Sequence, residues 1–497
     1  MYRFISSRNS KDVVDGHVAM IQGLSKDGGL YTIEEIKDTI PLSSFLHKTY
    51  QETAAIILST LFDDFSKEDI QRCVESAYDE KFDTEEIVPL TKIKDGWLME
   101  LWHGPTCAFK DIALTILPHL LQTSCRYENK KEKIAILTAT SGDTGKAALE
   151  GFKDVPGTAI TVFYPEVGVS FIQKLQMATT AGNNVQVIAV QGNFDDCQRL
   201  VKQASQNKEV LNSLDGVSIS SANSINIGRL FPQIVYYFTS YAKLVEQEEI
   251  KEGDKVNFVV PTGNFGDILA GYYAKKLGLP VGRLICASNT NNVLTDFFNT
   301  GTYSIHRAFT PTISPSMDIL ISSNLERLLF MESNYSDTFV NQMMHDLKEN
   351  GEYHVAESVM NRIKETFCGY WTSEEECRKT IAELFRQEHV LIDPHTAVAL
   401  SAAKRYKAET SDKSPCVILS TASPYKFTHD VLSCIDSEVT ENDFEAMKKL
   451  HDLSGLKIPS SLSALEKMPV RFTRSITIDE GMSVIAERMK EIAHDKD

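Results

Sequence analysis

From about Lys131 onward the chain alternates short apolar runs with amphipathic ones, and this alternation constrains the fold more than any other feature. "KIAILTAT" precedes "SGDTGKAALEGF", "TAITVFYP" precedes "SFIQKLQMAT", and "NVQVIAV" precedes "FDDCQRLVKQA". The pattern resumes with "KVNFVVPTGNFGDILAGYYAKKLG" and "GRLICASN", and far downstream with "PCVILSTASPYKF". Apolar strands separated by helices build parallel α/β sheets, and such sheets bind ligands at the carboxyl ends of their strands. The loops that follow these strands are therefore the first candidates for function.

At 497 residues the chain is long enough for two or three domains. Its formal charge of −17 argues against nucleic acid as a partner, because phosphate backbones attract basic faces. A small anion in a local basic pocket is still compatible with that charge. The nine cysteines form no CxxC pair and no metal-type spacing with histidine, which reads as reduced thiols with no metal site. The opening "MYRFISSRNSKDVVDG" lacks the apolar core of a signal peptide, and no apolar run is long enough to span a bilayer. These features lead us to expect a cytoplasmic chain with no membrane partner.

The first ninety or so residues read as mostly helical. "TYQETAAIILSTLF" has helical apolar spacing, Ser66 with Asp69 opens "SKEDIQRCVESAY" like a capping box, and "SKDGGLY" is a Gly-rich turn. The stretch from about 322 to 388 reads as helix-rich and polar.

Four loops and one lysine carry the chemistry. In "LWHGPTCAFKDIALTILPHLL" the single lysine, Lys110, enters an apolar helix. It is either one charge at the start of a surface helix or an amine that must lose its proton to do covalent chemistry. In "PTGNFGD", Gly263 and Gly266 allow a tight turn, and free amides at the start of the next helix suit a phosphate. A plain strand-to-helix turn explains that loop equally well when it is read alone. The spacing is neither a Walker A loop nor GxGxxG, which disfavours nucleotides. "TATSGDTG" offers Ser141, Thr144 and the amides near Gly142 and Gly145 to a carboxylate, with ordinary N-capping as the alternative. "SSANSINIGR" gathers Asn223, Ser224, Asn226 and Arg229, either as an anion clamp or as a capped helix start with an exposed arginine. "CVILSTASPYKF" ends a buried strand on Ser420, Thr421 and Ser423, hydroxyls that local backbone could also engage. A lysine in an apolar setting, two anion-friendly loops, a clamp and a hydroxyl-bearing strand end are together what pyridoxal phosphate requires.

"ELWHGPTCAFKDIAL", "TATSGDTG", "NSINIGR", "PTGNFGD" and "STASPYKF", with "QGLSKDGGLY" and "PSMDILISSNLERL", resemble in sequence and order the motifs of the threonine synthases. These are fold-type-II pyridoxal-phosphate enzymes, and the resemblance spans most of the chain. It implies an α/β fold like that of the tryptophan synthase β subunit, with parallel or mixed sheets flanked by helices and a helical N-terminal region. By the same resemblance, residues 1–95 form a mainly helical N-terminal domain and 96–345 the cofactor-binding core, with a smaller α/β subdomain at about 131–215. Residues 346–497 complete the large domain and carry the Thr421 strand.

The resemblance also assigns roles residue by residue. Lys110 is similar to the lysine that bonds the cofactor's aldehyde. Gly263, Asn264, Phe265, Gly266 and Asp267 are similar to the cofactor-phosphate cup, and Thr421 to the hydroxyl facing the pyridine nitrogen. Ser141, Asp143 and Thr144 match the loop near the ring's phenolic oxygen and the substrate carboxylate. Asn223, Ser224 and Arg229 match residues that hold the substrate's phosphate. The implied reaction converts O-phospho-L-homoserine and water to L-threonine and phosphate, in a monomer or homodimer. Other fold-type-II lyases, such as a serine/threonine dehydratase or a phospho-lyase, are the near alternatives, and a catalytically silent ligand-binding homologue the more distant one. Two positions depart from relatives. Cys107 replaces a common aliphatic residue, and Asp143 stands where other fold-type-II enzymes often carry Asn, putting a carboxylate beside a phenolic oxygen that it would repel unless a proton is shared.

Overall fold

Two parallel-stranded sheets embody the alternation seen in the sequence. The computed structural model describes residues 1–140, 142–167, 169–204, 207–438 and 440–495, so Ser141 lies outside the described residues. The larger sheet has six strands in the order Phe367–Trp371, Val281–Ser288, Val256–Pro261, Cys416–Ser420, Gly96–Glu100 and Leu90–Ile93. All neighbours are parallel except the last pair, which is antiparallel. The smaller sheet is wholly parallel, in the order Ser475–Ile476, Val185–Val190, Thr158–Pro165, Lys133–Ala139 and Val217–Ser220. Val256–Pro261, Cys416–Ser420 and Thr158–Pro165 are buried along their entire lengths. Strands covered on both faces have no solvent side to alternate with, so they read as continuous apolar runs.

The N-terminal region holds the expected helices, including Tyr50–Leu61 with a Thr49–Glu52 capping box and Lys67–Ala77 capped by Ser66. It also holds a three-stranded antiparallel sheet, ordered Asn9–Val14, Phe4–Ser6, Tyr31–Ile33, which a mainly helical reading does not include. Two of these strands are three residues long, too short to display a period. The helix-rich reading of 322–388 likewise misses Phe367–Trp371, an edge strand of the larger sheet.

Neither sheet follows simple divisions of the sequence. Leu90–Ile93, inside the stretch assigned to an N-terminal domain, pairs into the larger sheet. Ser475–Ile476, inside the stretch assigned to completing the large domain, pairs into the smaller one, and helix Gly481–His494 buries Val484, Ile485, Met489 and Ile492 in that sheet's core.

One close approach positions the site. Helix Lys110–Leu114 packs on helix Asp143–Phe152, and a Cβ added to Gly151 would lie 2.0 Å from the Leu114 carbonyl oxygen. Only glycine allows that contact. The two helices begin with Lys110 and Asp143, and their packing brings both residues to one place.

Candidate active site

Backbone bonds from the segment just before Lys110 pin it to the end of the Cys416–Ser420 strand. Leu101 N–H donates to the Ser420 carbonyl at 2.9 Å, Phe109 N–H to the Thr421 carbonyl at 2.8 Å, and Ser423 N–H to the Cys107 carbonyl at 3.0 Å. The loop between is braced by Asp111, whose carboxylate accepts from Thr106 N–H at 2.8 Å and Thr106 Oγ1 at 2.6 Å. Gly104 is packed on that carboxylate so tightly that a Cβ would lie 2.5 Å from Asp111 Cβ. The Lys110 side chain is 11% exposed, with Nζ 4.5 Å from the centre of the Phe109 ring. Burial, opposed by Asp143 and aided by Arg229 and Lys426, lowers its ammonium from 10.5 to about 8. The reading of Lys110 as a surface charge does not hold.

Asp143 begins the helix after strand Lys133–Ala139, and its carboxylate is engaged from two sides. Lys426 Nζ lies 2.6 Å from Oδ1, Gln173 Nε2 donates to Oδ1 at 2.8 Å, and Lys110 Nζ lies 3.9 Å from Oδ2. Burial alone would raise this carboxyl, yet the ammonium groups of Lys426 and then Lys110 hold it well below the usual carboxylate range. The carboxylate is therefore charge-paired, which answers the repulsion its sequence position raises. The loop leading to it is fixed by Thr140 Oγ1, which accepts from Gly142 N–H and Gly145 N–H, each at 2.9 Å. Gly142 has φ +151°, and a Cβ there would lie 2.6 Å from the Gln173 amide. Thr144 is half-buried at the same helix start.

Sequence reasoning missed Lys426 and Gln173. Lys426 sits in the quoted motif "STASPYKF", and its signal was a lone charge following a fully apolar strand. Gln173 lies in the amphipathic helix Phe171–Ala178 and carried no signal.

The Gly263–Asp267 loop follows strand Val256–Pro261 and leads into helix Gly266–Lys276. Phe265 takes the left-handed conformation at the helix start, with φ +64°. The carbonyls of the loop are turned away to partners. Ser322 Oγ donates to the Gly263 carbonyl at 2.8 Å, while Asn324 donates to the Asn264 carbonyl from N–H at 3.1 Å and from Nδ2 at 3.0 Å. A Cβ on Gly263 would lie 2.5 Å from the Ser316 carbonyl oxygen. The first N–H groups of an eleven-residue helix lack intrahelical partners and favour an anion. Asp267 turns its side chain elsewhere: Tyr236 and Tyr237 both donate to Oδ1. Its Oδ2 is buried without a partner among the described residues, and burial raises the carboxyl to about 7. What Asp267 offers a phosphate is its N–H.

The polar stretch 223–229 divides into a cap and a clamp. Asn226 caps helix Ile227–Leu230, accepting from Gly228 N–H at 2.8 Å and donating to the Met20 carbonyl at 3.0 Å. Arg229 is 2% exposed, contrary to the exposed-arginine reading. It donates from NH1 to the Ala222 carbonyl, and its Nε is buried with no partner among the described residues. Burial lowers its guanidinium to about 10. Asn223 and Ser224 are half-buried, and Ser224 Oγ accepts from Asn324 Nδ2 at 3.4 Å, linking the clamp to the glycine loop.

A supporting hydrogen-bond chain, also unread in the sequence, joins the end of strand Cys416–Ser420 to the glycine loop. Trp102 Nε1 donates to Ser420 Oγ at 3.2 Å, and Ser420 Oγ lies 3.1 Å from Thr396 Oγ1, which donates its proton to Asp393 Oδ1. Thr396 N–H donates to Asp393 Oδ1 at 3.2 Å, and Asp393 Oδ2 lies 2.6 Å from His395 Nδ1. Because His395 Nε2 accepts from Ser316 N–H at 3.2 Å, Nδ1 carries the proton. Ser316 is the residue packed on Gly263, so the chain links the residue before Thr421 to the glycine loop; Thr421 itself is 5% exposed.

These residues fit pyridoxal phosphate: a buried amine that loses its proton readily, a carbonyl-free anion cradle in which position 263 has no room for a Cβ, and a strand-end hydroxyl. A second anion fits as well, since Arg229 is a buried cation with no carboxylate partner among the described residues.

Comparison with known proteins agrees with this geometry. The model of the family described as "Pyridoxal-phosphate dependent enzyme" matches residues 85–422, that of "Threonine synthase N terminus" residues 3–78, and that of "Threonine synthase, C-terminal" residues 396–480. Threonine synthase of Saccharomyces cerevisiae is 35% identical over 97% of this chain and 98% of its own. Threonine synthase-like 1 of Homo sapiens is 36% identical over 88% of this chain, which spans 60% of that protein's length. The crystal structure of PLP-bound threonine synthase from Brucella melitensis superposes with a TM-score of 0.88 at 33% identity, covering 100% of both chains.

Proposed function

We propose that this chain, which belongs to the threonine synthase family of pyridoxal-phosphate dependent enzymes, converts O-phospho-L-homoserine and water into L-threonine and inorganic phosphate. The observation that carries the reading is Arg229. A fully desolvated guanidinium without a carboxylate partner is costly unless an anion completes it, and the cofactor's own phosphate already has the Gly263–Asp267 loop. A second phosphate, on the substrate, accounts for the second site.

When bound, pyridoxal phosphate supplies an electron sink for the charge left as a proton departs the substrate's α-carbon. The chain's residues do the rest. Lys110, half neutral at about pH 8, would hold the cofactor at its aldehyde carbon and, once free, would take the α-proton on Nζ. Asp143 and Thr144, with Ser141 from the sequence assignment, orient the ring's phenolic oxygen and the substrate carboxylate. Thr421 would offer the ring nitrogen a neutral hydroxyl, which would not hold that nitrogen protonated as a carboxylate would. Arg229, Asn223 and Ser224 grip the phosphate at Cγ and stabilise the charge that grows as its C–O bond breaks. A proton also leaves Cβ as phosphate leaves Cγ. For the atoms to balance, Cγ and Cα each take up a proton, and water adds its hydroxyl at Cβ and gives up its other proton. We further place the protein in the cytoplasm as a monomer or homodimer, consistent with nine free cysteines and with no described helix long and apolar enough to cross a membrane.

The test is Arg229→Ala assayed with two amino acids. Turnover of O-phosphohomoserine should fall by about 2–4 kcal/mol in transition-state stabilisation, the range for loss of one anion-stabilising donor. Binding of serine, which offers no phosphate, should survive. Arg229→Lys should recover part of the loss, because a point charge lacks paired donors. Equal damage to serine and O-phosphohomoserine binding in a folded variant would show that Arg229 is structural or grips the common carboxylate.

A further inference from the structure

Two buried lysines flank one carboxylate, and they are not equivalent. Lys426 Nζ is 2.6 Å from Asp143 Oδ1, with its side chain fully buried, whereas Lys110 Nζ is 3.9 Å from Oδ2. Lys426 also donates to the Thr106 carbonyl at 2.9 Å. Thr106 in turn is fixed to Asp111, the residue after Lys110. The 3₁₀ turn Pro424–Lys426 is held by the Ser423 cap and by the strand end that pins Phe109. Lys426 therefore cannot leave without disturbing the frame that holds Lys110. Removing either partner of an ion pair this deeply buried leaves the other as an uncompensated charge.

We propose that Lys426 is a positioning residue for Lys110: it takes Asp143 as its own ion-pair partner and repels a second ammonium beside it, and both effects leave the Lys110 amine free to react. The inference rests on Lys110 being the reactive amine of the proposed function.

The charged groups around Lys110 come from four elements. Asp143 on helix Asp143–Phe152 and Asp267 on helix Gly266–Lys276 favour its protonated form, while Arg229 on helix Ile227–Leu230 and Lys426 on the 3₁₀ turn oppose it. Asp111, on Lys110's own helix, is occupied by Thr106 and feels Lys426. Burial is the largest influence on Lys110, and it acts whether or not Lys426 is present. Lys426 acts on the remainder through Asp143, because without it the one cation left to pair with that carboxylate, among the described residues, is Lys110.

The experiment measures the pH at which Lys110 becomes nucleophilic. Cofactor-free protein is labelled with trinitrobenzenesulfonate across a pH series and the label on Lys110 is quantified by peptide mapping. The midpoint of the cofactor's absorbance change with pH is followed in the loaded protein. Lys426→Gln should raise both midpoints by about one pH unit or more, so that labelling of Lys110 at neutral pH slows about tenfold. Lys426→Arg should keep the wild-type midpoints. A merely structural lysine would change stability without moving them, and unmoved midpoints in folded Lys426→Gln overturn the proposal. If that variant does not fold, Asp143→Asn is compared with Asp143→Asn/Lys426→Gln, which leaves no carboxylate unpaired. The double variant should titrate at the higher pH, because it lacks the repelling charge, and equal midpoints overturn the proposal. Borohydride reduction of the loaded protein separates the two readings. A pyridoxyl adduct on another lysine removes the basis of both, whereas an adduct on Lys110 with unmoved midpoints removes only the role of Lys426.

Discussion

At the scale of single residues, the site is governed by which charges are paired. Lys110 has its ammonium lowered from 10.5 to about 8, chiefly by burial. Between those values the unfolded chain binds the extra proton, so Lys110 makes the fold gain stability as pH rises through that window and lose it as pH falls through about 8. The same shift predicts that acylation of Lys110 in the cofactor-free protein is half-maximal near pH 8, and a midpoint near 10.5 would show that the apolar setting does not act on the amine. Thr421 has the opposite character, since its hydroxyl is neutral at every working pH. Replacing it by valine keeps the shape and removes the hydrogen bond, so cofactor affinity or turnover should fall by about 1–3 kcal/mol if the ring nitrogen is left unpaired. A titration of cofactor into Thr421→Val, read beside its steady-state rate, checks this, and wild-type values for both would contradict the role.

At the scale of elements, the site depends on two helices meeting. Helix Lys110–Leu114 and helix Asp143–Phe152 touch where Gly151 faces the Leu114 carbonyl. Gly151→Ala inserts a methyl where there is no space, at a cost of about 1–3 kcal/mol, and it should separate Lys110 from Asp143. The expected outcome is a lower melting temperature together with a shifted pH midpoint for Lys110 labelling. A fall in melting temperature without the shift would mean that the helices part somewhere other than at their starts. Much of this architecture was legible because its main strands are buried on both faces and therefore stand out as apolar runs, as in "NFVVP" and "CVILS". What escaped had physical reasons. Phe4–Ser6, Tyr31–Ile33 and Ser475–Ile476 are too short for a period. Phe367–Trp371 is an edge strand with mixed burial inside a polar, helix-rich stretch. The Lys426–Asp143 pair joins residues 283 positions apart, a distance over which spacing carries no information. Arg229, read in isolation, gave no sign of its burial, because a short capped helix looks the same in the sequence whether or not other elements cover it.

At the scale of the whole molecule, the chain's ends are built into the framework around the site. Ser7 and Arg8, in the turn between strands Phe4–Ser6 and Asn9–Val14, bond Glu326, and Arg327 Nε donates to the Tyr31 carbonyl at 2.8 Å. Arg327 also holds Asn324, the residue that turns the Asn264 carbonyl out of the anion cradle. The tail from Ser475 completes the smaller sheet. The reacting groups thus stand at the strand ends of both sheets, with Lys110 tied to the larger one and Asp143 following a strand of the smaller. The two proposed anion sites are the glycine loop and Arg229, and together these features support the proposal of a pyridoxal-phosphate enzyme that expels a phosphate and adds water. The most direct test is the stoichiometry of products from O-phospho-L-homoserine and the cofactor-loaded protein. One L-threonine should form for each inorganic phosphate released, with no accumulation of 2-oxobutyrate. Phosphate accompanied by equal 2-oxobutyrate and ammonia, without threonine, would show that water does not add at Cβ and that the chain is a phospho-lyase instead.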